Sequence, residues 1–403
     1  NNAADKIVYI SSPEVAGVRI GYNYSYTKQE RLRIDARGQA TTPLVYTYDN
    51  PSQIVVKAFD KSNPITIVGL NVELVGSGTG EQGAIIVERD SVTLNNPSVI
   101  NNDNSKPVKR AIALAYCADT IINRPVIGNI NYDGAGYGII ATGTIGVVVN
   151  DPQIDNCRHA FSGGYNVDVT INRGTTGGID DHWGARMVID GTKIKSVNGN
   201  SVCAVLYAGS DIDIRNVTHV GGTALLGIRT DPATLIGNVN IENIEIFATS
   251  SAVNYYYVFG LSSIAEMYKP VETMSIDPRL PDNVNIENIK IHANNDKFVC
   301  IYRKTLMALS HKDIGRLNAK NVICDSAITG VFAVSTGFEQ TAISKLIFDN
   351  IDFKGGNSIY LVGSLSEVVA SAKYVIELKN TYNSTLRVNP KFIDKITVKS
   401  GSV

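Results

Sequence analysis

Charge of either sign is scarce in this sequence, and so are tryptophan, paired cysteines and long apolar runs. Charged residues make up 19% of the 403, and 37 Lys+Arg stand against 38 Asp+Glu for a formal net charge of −1. A near-neutral chain has no field with which to gather phosphate counterions, which excludes a basic nucleic-acid binder, and so low a charge excludes a charge-rich disordered chain. No stretch approaches the about 18 consecutive apolar residues that a membrane span requires. The five cysteines, Cys117, Cys157, Cys203, Cys300 and Cys324, lie far apart, mostly in apolar runs such as VCAVLY and KFVCIY. An odd, scattered set without a C-x-x-C pair argues against a disulfide framework and a structural zinc site; it reads as free core thiols and a reducing folding compartment. The start, NNAADKIVYISS, lacks Met, a basic n-region and an apolar h-region, and reads as a fragment or processed product.

What is abundant is one short phrase. PITIVGLNVELVG alternates apolar and polar residues, turns, and continues into GAIIVE, the pattern of strand, turn and strand. Variants recur as VTLNNPSVI, TIINRPVIG, VVVNDPQID, VTINRGTTG, MVIDGTKIK and others, and VNIENIEI (Val239 to Ile246) nearly repeats as VNIENIKI (Val284 to Ile291). Each copy carries a corner residue: Gly69, Asn96, Arg124, Asp151, Arg173, Gly191, Asn216, Asn243, Asn288, Asn321, Asn350 and Asn380. Asn, Asp and Gly suit corners because they tolerate left-handed backbone angles. The corners recur mostly at about 25 to 30 residues, the length of a solenoid coil.

No window holds an apolar period of 3.6 over three turns, which excludes helical solenoids, and Leu does not dominate the repeated positions, which excludes leucine-rich repeats. Propeller blades of about 40 to 45 residues are too long for these copies. The pattern predicts an all-β chain, a right-handed parallel β-helix forming a single elongated domain, with residues 1–60 as N-terminal cap and first coils and 61–403 as the helix proper. Between Asp151 and Gly191 the coils shrink to roughly 20 residues, and between Asn243 and Asn288 one swells to about 45, predicting a long inserted loop at about 250–283. Trimmed coils beside a long loop describe a groove, where binding residues gather.

The trimmed coils contain CRHAFSGG (Cys157 to Gly164) and GGIDDHWGAR (Gly177 to Arg186), with two of the five histidines and the only tryptophan. Strand alternation sends either Asp181 with Trp183, or Asp180 with His182, outward. A carboxylate beside basic groups and an aromatic ring suits a polysaccharide, because sugars offer apolar C–H faces to rings and hydroxyls to Asp and Arg. Two-carboxyl glycoside hydrolysis needs partners about 5 to 9.5 Å apart. No Glu occurs between Glu88 and Glu242, so both acids would be Asp: Asp180 and Asp181, with Asp155 or Asp231 as further partners and His182 assisting. Elimination on a uronate needs instead an Arg to neutralise the carboxylate and a base, for which Arg158, His159, His182, Arg186, Tyr137 and Tyr165 supply the groups. The adjacent aspartates favour hydrolysis.

Other signals are weaker. VGSGTGE (Val75 to Glu81) has no helix after it and so no anion-binding helix terminus; no run matches a calcium loop, and neither a metal nor a cofactor is expected. His219, His292 and His311 stand alone and read as structural, and the sequons at Asn23 and Asn216 carry little weight.

RLRIDARGQATTPLVYTY (Arg31 to Tyr48) resembles the first coil of pectate-lyase-like right-handed β-helices. CRHAFSGG followed by GGIDDHWG resembles an Arg-His then Asp-x-His arrangement of bacteriophage tailspikes. The fold resemblance spans nearly the whole chain, its motifs about thirty residues. It implies a homotrimeric virion protein, otherwise an extracellular one, that binds and cleaves bacterial capsule or O-antigen, with Arg158, His159, Asp180, Asp181 and His182 carried over. The sequence departs from tailspikes whose central coils carry Glu. A non-cleaving glycan-binding β-helix and a monomeric pectinase-type enzyme are the alternatives.

Overall fold

A computed structural model describes residues 64–75, 83–101, 109–130, 136–196, 203–229, 237–248, 255–262, 283–294, 298–304, 315–325, 332–334, 343–361, 373–388 and 390–401, with five short strands before residue 57. The described chain is nearly all strand, every pairing given is parallel, and the architecture is a parallel β-helix. It divides into two compact units, Asn1–Lys193 and Ile194–Val403.

In the first unit each coil contributes to three faces. The first stacks Ile85–Glu88, Arg110–Ala115, Tyr137–Thr142, His159–Gly164 and the front of Ile179–Asp190. The second stacks Ile65–Val68, Val92–Asn95, Ala118–Asn123, Ile145–Asn150, Val167–Asn172 and the back of Ile179–Asp190. The third runs Asn71–Val75, Ser98–Asn101, Val126–Ile130, Gln153–Cys157 and Thr175–Thr176. Alternating β-branched residues build this arrangement, since alternate side chains on each strand point inward. Ile67, Leu94, Ile122, Val149, Ile171 and Ile189 are register partners in six successive coils and all are buried. Each such side chain contributes about 1.5–3 kcal/mol by burial.

All twelve sequence-derived corner residues have left-handed φ, from 46° at Asn380 to 69° at Gly69. Their side chains bond from coil to coil. Arg124 Nε donates to Asn96 Oδ1 at 2.7 Å, and Arg173 grips both oxygens of Asp151 at 2.6 and 2.8 Å, which holds the Asp151 carboxyl below its usual range.

In the second unit the two near-identical phrases lie directly on each other, Val239 on Val284, Ile241 on Ile286, Ile244 on Ile289 and Ile246 on Ile291, all buried. Their corners continue the ladder: Asn288 Nδ2 donates to Asn243 Oδ1 at 3.1 Å, and Asn321 Nδ2 to Asn288 Oδ1 at 2.9 Å. The long coil expected as a loop over 250–283 contains a regular strand, Tyr255–Ser262, paired with Phe298–Lys304. Residues 249–254 and 263–282 lie outside the described residues, as do residues 1–63 apart from their short strands. Four of the five free cysteines are buried and Cys157 is half-buried.

Candidate functional site

In four successive coils of the first unit, the first face turns into the second at Tyr116, Gly143, Tyr165 and Trp183, with φ of 50°, 61°, 59° and 54°. The backbone links these corners: the N–H of Tyr116 donates to Thr142 O, that of Gly143 to Gly164 O and that of Tyr165 to His182 O. A left-handed angle costs a non-glycine residue about 1–2 kcal/mol, so aromatic side chains here need a corner held by other contacts.

Asn166, the residue after Tyr165, supplies those contacts from inside. Its Oδ1 accepts from the Thr144 N–H at 3.1 Å and hydroxyl at 2.8 Å, and its Nδ2 donates to Ala141 O at 3.1 Å and Asp181 Oδ1 at 2.9 Å. Both donors and both acceptor positions of the amide are thereby used. Asp181 is 0% exposed, and glycines make room for it: a Cβ at Gly163 would collide with Oδ1, and one at Gly184 would lie 2.6 Å from Oδ2. Burial pushes the Asp181 carboxyl up to about 7, with the nearby Asp180 adding to the rise and the Asn166 hydrogen bond opposing it.

The register Ser162↔Asp180, Gly163↔Asp181, Gly164↔His182 settles the choice the sequence leaves open. Asp181 points into the coil, and Asp180 and His182 share the other side. His182 Nε2 lies 2.9 Å from Asp180 Oδ1 and 3.0 Å from Oδ2, and His159 Nε2 lies 3.7 Å from Oδ2. The His159 ring stacks on Tyr137 at 6.0 Å, and Arg158 Nη1 lies 3.5 Å from the Tyr137 hydroxyl oxygen. The His182 ring is 5.4 Å from Trp183, which stacks on Tyr165 at 4.8 Å with 20° between planes. Trp183 is exposed, contrary to strict alternation, because its left-handed φ turns the chain at that residue, whereas Asp180 and His159 are each only 6% exposed and His182 is half-buried.

Seven of the predicted residues thus form one connected set: Tyr137, Arg158, His159, Tyr165, Asp180, His182 and Trp183. Asp181 lies behind them and has no exposed surface to offer a glycan. Asp155 sits exposed on the third face, opposite Gly128, with its Oδ1 accepting the Asn156 N–H, so it is on a different sheet face from Asp180. Arg186 pairs with Asp168 at 3.4 Å, both exposed, a contact of small energetic weight. Asp231 lies outside the described residues. Among the described residues no group of three or more His, Cys, Asp or Glu side chains is arranged to hold a metal ion.

Comparison with known proteins finds no matching family model and no matching curated protein. Sequence reasoning missed Asn166 and Tyr116. The signal for the second was in view: Tyr116 with Asp119, Gly143 with Gly146 and Tyr165 with Asp168 share one spacing, and all six residues are left-handed.

Proposed function

We propose that this chain binds and cleaves bacterial surface polysaccharide, capsule or O-antigen, in the manner of a phage tailspike depolymerase. The observation that carries this reading is the junction of an exposed ring stack with an acid and imidazole set, Tyr165–Trp183 meeting His182–Asp180–His159. Rings accept the apolar face of a sugar, and the polar set meets its hydroxyls and its scissile bond. A homotrimer and a virion location accompany the reading, and it requires no cofactor.

Hydrolysis by two carboxyl groups needs both on one face. With Asp181 turned inward, the outer set is one carboxylate, two imidazoles, a guanidinium and a phenol, which suits elimination on a uronate-containing chain better. In that step an imidazole takes the proton on the carbon next to the uronate carboxylate. The freed electron pair forms the ring double bond as the glycosidic C–O bond breaks, and a proton from Tyr137 or the second imidazole goes to the leaving oxygen. Arg158 opposes the charge that builds on the uronate carboxylate. A His182 whose Nε2–H is given to Asp180 keeps its lone pair on Nδ1, the tautomer that acts as base. Hydrolysis is the second reading, on the observation that Asp180 and His182, 2.9 Å apart, form an acid and base pair by themselves.

The test is product mass after incubation with purified acidic capsular polysaccharides. Fragments that absorb in the ultraviolet as unsaturated uronates, without added water, are expected. Fragments one water heavier per cut establish the hydrolase. Binding without fragments leaves a glycan-binding adhesin, and neither binding nor fragments across the panel overturns the reading.

A further inference from the structure

The exposed aromatic side chains among the first unit's described residues stand in one column. Among its described residues, the large aromatic ones that are exposed are Tyr116 at 74%, Tyr165 at 63% and Trp183 at 37%, and all three sit at the same left-handed corner. The column's other member is Gly143, and the Tyr116 ring leans over it: a Cβ at Gly143 would lie 2.8 Å from Tyr116 Cδ1 and 3.0 Å from Cε1. Folding accounts least for the residue at Tyr116. Asn or Gly would hold the angle at lower cost, and the Tyr116 ring, the most exposed of the three, recovers the least of that cost by burial, while Trp183 is mostly covered. Strain at bulky residues, repeated in three coils with an aromatic each time, calls for a role outside the fold.

Two further observations say what role. The column runs into the polar set, because Trp183 touches both Tyr165 and His182. It is also bordered by exposed Asp119, Asp168 and Arg186, groups that suit hydroxyls, and by exposed Ile145 and Val167, which extend the apolar surface open to sugar C–H faces. We infer that Tyr116, Tyr165 and Trp183 form one stacking ledge for a glycan chain laid along the coil axis, with Tyr116 as an outer subsite three coils from Asp180. The ledge covers about 14 Å, three coil spacings, enough for more than one sugar ring. Tyr116 is a binding residue here, and its contribution grows with the length of the ligand. The inference rests on the glycan reading above and adds the direction of the chain and its far contact.

Trp183 is the only tryptophan, so intrinsic fluorescence reports on the inner end of the ledge. The experiment titrates the full chain with a purified uronate-containing capsular polysaccharide and its size-fractionated fragments of one, two and four repeat units. Wild type is compared with Tyr116→Asn, which keeps a residue tolerant of the left-handed angle, and with Tyr116→Phe. Tyr116→Asn is expected to weaken the four-repeat fragment by tenfold or more and to leave the one-repeat fragment within twofold, while Tyr116→Phe binds as wild type does. Equal affinities for wild type and Tyr116→Asn at every length overturn the ledge and leave the glycan reading standing. Loss of self-association in sedimentation with binding unchanged overturns it too, assigning the column to contact between copies. No fluorescence change in wild type with any polysaccharide of the panel sinks both.

Discussion

Asp180 and Asp181 are neighbours in the chain and face opposite sides of one strand. Asp180 is held by His182 at 2.9 Å and His159 at 3.7 Å, and Asp181 is tied from within by Asn166 at 2.9 Å. One has become part of the outer polar set and the other part of the corner's internal support.

Asp180→Asn should therefore remove the acid partner of both imidazoles while leaving the fold intact. Cleavage of a capsular polysaccharide is expected to fall by about 10²-fold or more, the scale of a lost acid or base group. Fragment release followed by size exclusion, with circular dichroism as the fold control, reads the result; full activity would place the chemistry elsewhere.

Asp181→Asn should act on stability instead, and with a definite pH dependence. The folded pKa, about 7, lies above the ordinary 3.8, so between those values the folded state holds a proton that the unfolded state has released. Stability from this group is complete below pH 3.8 and is lost as pH rises to about 7, a loss on the order of 4 kcal/mol at most. The neutral Asn escapes it. Urea unfolding at pH 4 and pH 7.5 should show the variant gaining on wild type at the higher pH.

His219 carries the opposite sign in the second unit. It is fully buried between Tyr256, whose hydroxyl lies 2.6 Å from Nδ1, and Ser196, whose Oγ lies 2.9 Å from Nε2, and burial lowers its pKa to about 3. Between that value and the ordinary 6.5 the unfolded state binds a proton the folded state refuses, so stability falls as pH drops from 6.5 towards 3. Hydrogen exchange should show the strands around His219 losing protection on acidification, and His219→Gln should abolish that trend.

Asn288 tests the corner ladder. Its φ is 57°, and its side chain donates to Asn243 and accepts from Asn321. Asn288→Ala is expected to cost about 2–3 kcal/mol, from the left-handed angle and two exposed hydrogen bonds, and Asn288→Gly to cost less because glycine accepts the angle. Denaturant midpoints of the two variants give the comparison; equal losses would mean the angle contributes nothing.

The corners were readable in the sequence because a left-handed angle selects Asn, Asp or Gly locally, and that selection recurs coil after coil. Arg124 and Arg173 break the residue rule and still sit at corners, since their positions in the repeat outweigh their own preference. Tyr116 is the inverse case: a tyrosine does not by itself announce a left-handed turn, and only its spacing to Asp119, shared with Gly143 to Gly146 and Tyr165 to Asp168, marks the corner. Asp155 was a reasonable partner for Asp180 by coil count alone, yet it occupies a different face, and face is a property of where each coil bends.

The sequence by itself determined the repeat, the parallel β-helix and the twelve corners, because these follow from short-range periodicity and backbone preference. Only the tertiary structure decided that Asp180 turns to the His159 and His182 side of its strand and Asp181 to the coil interior, and that Tyr137, Arg158, His159, Tyr165, His182 and Trp183 meet. The coils in this stretch differ in length, so which residues lie side by side depends on where each coil bends and on the register of its stacking. That register is set by packing across the whole stack, not by any segment within it.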